Sequence, residues 1–156
     1  MSAIASFYVV PSERLTDLVA AATPAPGGRF RPARDTFWDI LRGAGRELET
    51  FAWSGWVFNT LDLYLESRHG LMYDNFGDTA VSRQLSQARG SHWLVLPAAS
   101  AAELLTALTG AAGEHGPDDA AEEAAEEAAA VQAALITLKT WLAEVSPESV
   151  GLLSVG

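Results

Sequence analysis

Cysteine is absent from the chain, which excludes disulfide bridges and thiolate metal sites at once. Lysine occurs only at Lys139, and no GxxxxGK[ST] run exists, so Schiff-base chemistry and phosphate cradling are poor fits. No stretch approaches the ~18 consecutive uncharged apolar residues that a membrane-spanning helix needs. The opening "MSAIASFYVVPSERL" lacks a basic n-region, and its apolar run is cut at Pro11. We therefore expect no signal peptide and a cytoplasmic protein. Arginine outnumbers lysine nine to one and alanine is abundant, the composition of a high-GC bacterial genome.

Positive charge is scarce as well as uneven. The net charge is −10, and from Glu103 to Gly156 ten acidic residues face one base, Lys139, a balance of −9. The first 102 residues hold ten acids and nine arginines and are nearly neutral. A chain with this balance and no basic stripe is repelled by phosphate backbones and by anionic bilayers, so neither nucleic acid nor membrane is expected as a partner.

What remains is enough for a core. With 156 residues and 49% hydrophobic content, one domain covering 1–156 is expected, burying roughly 70% of its unfolded surface. "IASFYVV", "HWLVLP" and "SVGLLSV" read as three strands, near the start, middle and end of the chain. Between them, N-caps are expected at Ser12, Asp35, Ser54, Asp78 or Thr79, and Ser100, with glycine stops at Gly70, Gly90 and Gly110. Thr23 to Arg34 holds three prolines and two glycines and reads as a loop, and "GEHGPDD" reads as a turn. A long last helix over 118–145 carries Val131, Leu135, Leu138, Leu142 and Val145 as a seam that Trp141 widens. The expected fold is α+β: about three strands packed with five to six helices, the last one long.

The segment "FAWSGWVFNTLDLYLESRHG" concentrates Phe51, Trp53, Trp56, Phe58 and Tyr64. Its helix is apolar around most of its circumference, with Val57, Leu61, Tyr64 and Leu65 on one stripe and Trp56 and Leu63 opposite. Such a helix is expected at the centre of the core, with the indoles buried rather than lining a ligand groove. Together with "SFYVVPSERLTDL" and "HWLVLP", this block resembles small bacterial domains of the YfbM-like type over about the first two-thirds of the chain. That likeness implies an aromatic strand followed by a helix, and no activity or site residues; the acidic helix departs from it.

No catalytic, cofactor-binding or metal-binding motif stands out. His69, His92 and His115 have no second ligand at helical or strand spacing. Asp35 with Asp39, and Asp62 with Glu66, read as solvated helix faces rather than cation sites, with Arg42 to offset Asp39. Gly43 and Gly45 form only a GxG, and "WSGW" lacks the glycine of a nucleophile elbow. The candidate partner-binding residues are Glu122, Glu123, Glu126 and Glu127, whose mutual repulsion a basic protein would relieve.

Three functions are carried forward. The first is a non-catalytic binding or interaction domain. The second is an immunity-type or antitoxin-like protein that neutralises a basic toxin. The third is an enzyme whose site is assembled from Asp39, Asp62, His69 and Arg46. The chain is expected as monomer or homodimer, with the Val131–Val145 seam packing on its own sheet in preference to a second copy.

Overall fold

In a computed structural model, the described residues are 3–23, 35–111 and 122–156. All of the expected loop over 23–34 except Thr23, the turn over 113–119, His115 and the first residues of the last helix lie outside them. Four strands form one antiparallel sheet in the order β2-β1-β4-β3: β1 (Ala5–Pro11), β2 (Arg46–Glu47), β3 (His92–Pro97) and β4 (Ser149–Val155). β4 is central, pairing with β1 from Ala5↔Val155 to Pro11↔Ser149 and with β3 from His92↔Val155 to Pro97↔Val150. The strand that the sequence does not announce is β2, two residues set against Tyr8 and Val9. It is too short to carry a period-2 pattern, and both residues are exposed and charged.

Both sheet faces are covered, which is why the strands read as almost continuous apolar runs. Alternation puts Ala5, Phe7, Leu94, Leu96, Leu153 and Val155 on one face and Tyr8, Val10, Trp93, Val95, Val150 and Leu152 on the other. The first face packs against α3 (Val57–His69), α5 (Ala98–Ala111) and α6 (Glu122–Ala143). The second packs against α1 (Leu15–Ala21), α2 (Phe37–Ala44) and α4 (Thr79–Arg89). The expected α+β fold is thus present, with six helices and four strands among the described residues. Gly151 in β4 is needed for close packing: a Cβ there would lie 2.5 Å from the Phe7 ring.

The seam of α6 is spent internally, since Val131, Leu135, Leu138 and Leu142 are buried in the first core and Val145 is half-buried against it. Trp141 adds its ring, stacked with both Phe7 and Phe58 at centroid distances of 5.4 and 5.7 Å. On the opposite face Arg89 lies 4.4 Å over Phe37, bonds Asp35 through both terminal nitrogens and donates to the Ala22 carbonyl.

Local signals hold in part. Asp78 caps α4 by accepting from the Val81 N–H, and Asp35 accepts from the Phe37 N–H. Gly70 and Gly90 end α3 and α4 at φ of 62° and 73°, the left-handed conformation glycine tolerates best. Ser12 instead opens a 3₁₀ turn without a side-chain cap, and Ser100 sits inside α5, which begins at Ala98 straight after β3. α5 likewise runs through Gly110 to Ala111. Among the described residues no helix is long and apolar enough to cross a membrane.

Candidate functional site

The aromatic segment divides between core and surface. Phe51, Phe58, Leu61 and Leu65 are buried, with Phe51 set edge-on to Phe58 at 5.0 Å. Trp53, Trp56 and Leu63 are exposed, at 40%, 58% and 66%. The expectation of a helix buried all round is corrected here. Phe58, Leu61 and Leu65 fill the inward stripe of α3, while Leu63 and the preceding Trp56 stay exposed among the described residues.

The tryptophans belong to the turn before α3, which is laced to the start of β1. The Gly55 N–H donates to the Ala3 carbonyl, and the Phe51 N–H to the Ala5 carbonyl. Ser54 holds that turn rather than capping α3 in the expected way, its hydroxyl 3.4 Å from the Trp56 nitrogen. A Cβ on Gly55 would come within 3.0 Å of the Ala5 nitrogen, so the turn lies hard against the strand. This anchoring leaves both indoles at the molecular surface.

There they border a hollow of about 390 Å³ with Val57, Thr60, Ala130, Glu126 and Glu127. Two of the four sequence-predicted partner-binding glutamates, Glu126 and Glu127, are exposed at this rim. Glu122 and Glu123 begin α6, and their side chains lie outside the described residues. Two indoles, the apolar Val57 and Ala130 and two carboxylates are the chemistry that attracts an organic cation.

On its other side Trp56 borders a larger, open cleft of about 810 Å³ at the end of the sheet, where β3 begins and β4 finishes. Its polar groups include Asp74 and His92, whose Oδ1 and Nε2 are 3.2 Å apart. The Asp74 carboxylate raises the His92 pKa above its ordinary value. Next to them Asp62 accepts from the Tyr73 N–H at 3.0 Å, and the Tyr73 hydroxyl donates to the Phe58 carbonyl. Burial, together with the Asp74 charge, raises the Asp62 pKa.

The sequence places His92 correctly at the entry to a strand but gives no sign of Asp74 as its partner. Eighteen residues separate them, and only the packing of the 73–76 turn against β3 brings them together.

The distant-residue enzyme site does not assemble. Asp39 rides on α2 over one sheet face, whereas Asp62 and His69 ride on α3 over the other. Arg46 is on the edge strand β2 and pairs with Glu144 at 2.9 Å. No group of three metal-ligating side chains occurs among the described residues. In comparisons with known proteins, no family model, curated protein or solved structure matches this chain.

Proposed function

We propose that this chain is a non-catalytic binding module that grips a basic segment of a partner protein at the Trp53–Trp56 hollow. The observation that carries this reading is the pair of exposed tryptophans, Trp53 and Trp56, lining one hollow together with Glu126 and Glu127. An arginine or lysine side chain laid there meets aromatic faces and carboxylates together, a combination worth about 0.5–2 kcal/mol per cation–π contact. The net charge of −10 favours encounter with a basic partner, and Glu126 and Glu127 put part of that charge at the hollow's rim.

The immunity or antitoxin-like role is the special case in which the partner is a basic toxin, and its encoding gene would stand beside this one. We also propose a cytoplasmic protein that is a monomer or homodimer, the burial of the α6 seam in the chain's own core favouring the monomer. The YfbM-like resemblance is kept as part of the proposal for the fold alone.

The test is fluorescence anisotropy of a labelled arginine- and lysine-rich peptide titrated with the protein. W56A and the E126Q/E127Q double variant should each weaken binding about tenfold or more. Binding that is unchanged in both variants, or equal for an acidic peptide, overturns the proposal.

A further inference from the structure

The larger cleft on the far side of Trp56 has a different chemistry and is independent of the basic-partner reading. It bridges the two layers of helices: Asn59 comes from α3, Gln87 from α4, and His92 from the first residue of the edge strand β3. Among the described residues its lining contains no arginine or lysine. The one cationic group, His92, is already matched by Asp74. A phosphate or carboxylate ligand would find no free positive charge among these residues, and an ammonium ligand would compete with His92 for Asp74.

The hydrogen-bonding groups are instead mixed and available. The Asn59 and Gln87 side-chain amides make no hydrogen bond within the described residues, and each offers donors and an acceptor. The Ser91 hydroxyl accepts from the Trp93 indole N–H at 3.0 Å and retains its own proton to donate. Ser86, by contrast, is used up by the Trp93 backbone, donating to its carbonyl and accepting from its N–H. Beside these groups stands the exposed indole of Trp56, a flat apolar wall.

We infer that this cleft is a binding site for a neutral polyhydroxylated ring, a pyranose sugar. The C–H face of the ring would rest on Trp56, and its hydroxyls would exchange hydrogen bonds with Asn59, Gln87, Ser91 and the Asp74–His92 pair. A volume of about 810 Å³, open to solvent, fits one or two sugar units at a surface. Neutral hydroxyls both donate and accept, matching the mixed lining in a way that an anion or a lone cation does not.

The experiment is saturation-transfer-difference NMR on the whole chain. Probes are glucose, galactose, N-acetylglucosamine and the β1-4 dimers of glucose and N-acetylglucosamine, with glucuronate, glucose 6-phosphate and choline as charged counterparts. At least one neutral saccharide should bind saturably. Since the two amides each supply about one hydrogen bond, N59A and Q87A should each weaken it about fivefold to tenfold, and W56A more. N59A and Q87A are surface changes, so their folding is checked by unchanged thermal unfolding.

Neither variant should alter binding of the basic peptide, and W53A should weaken the peptide but not the sugar; this keeps the two sites' outcomes apart. Absence of saturable binding by every neutral saccharide up to its solubility overturns the inference. So does binding confined to the charged probes, or saccharide binding indifferent to N59A, Q87A and W56A.

Discussion

The Phe58 ring lies almost parallel to the indole of Trp141, 8° apart in plane with centroids 5.7 Å apart. Two helices distant in sequence are thereby locked over one face of the sheet, with Phe7 also stacked on the same indole. F58A removes this contact and opens a cavity, at an expected loss of about 3–5 kcal/mol. W53A, only a turn away in sequence but exposed, should change stability by no more than about 0.5 kcal/mol. Chemical denaturation of the two variants checks the contrast.

The Asp74–His92 pair makes folding stability depend on pH. Because the carboxylate raises the folded pKa of His92, its contribution is fully present below the unfolded value of ~6.5 and is lost as pH rises through the raised folded value. D74N should flatten that decline and lower the His92 pKa. An NMR titration of the imidazole together with denaturation midpoints at several pH values measures both.

Asp62 acts in the same direction over a more acidic range. Burial raises its folded pKa, so the fold is disfavoured as pH climbs past the unfolded value of ~3.9 and the carboxyl ionises in place. D62N keeps an oxygen for the Tyr73 N–H while removing the charge, and should match or exceed the parent's stability at neutral pH. D62A leaves that N–H without its partner and should cost about 1 kcal/mol.

Arg89 ties Asp35 and the Ala22 carbonyl to one guanidinium, on both sides of the 24–34 segment, while covering Phe37. R89A should lower the unfolding midpoint more than D35N, and R89K should recover only part of the loss, since an ammonium lacks the planar fork. The Asp35 pKa is held below its usual value by Arg89, so this contribution is present above ~3.9 and disappears as pH falls through the depressed value.

Much of the fold is written in local pattern. The apolar runs of β1, β3 and β4, the Asp78 cap and the Gly70 and Gly90 stops are short-range signals, and each has its expected structural counterpart. β2 is invisible because two exposed residues bear no periodicity, and its pairing depends on the long-range approach of β1. The burial of α3 is misjudged for a related reason. Composition counts Trp53, Trp56 and Leu63 as apolar, but which side of a helix meets the sheet depends on the turn that anchors it. Of the candidate site, the glutamates of α6 are legible as charge; the tryptophans' exposure and the Asp74–His92 pairing are tertiary facts.

The most direct measurement is a ¹⁵N–¹H spectrum of the five indole N–H signals during titration with an arginine- and lysine-rich peptide. Trp53 and Trp56 should shift together and saturably, while buried Trp93 and Trp141 stay in place. No indole shift at saturating peptide, or shifts confined to Trp93 and Trp141, would contradict the account.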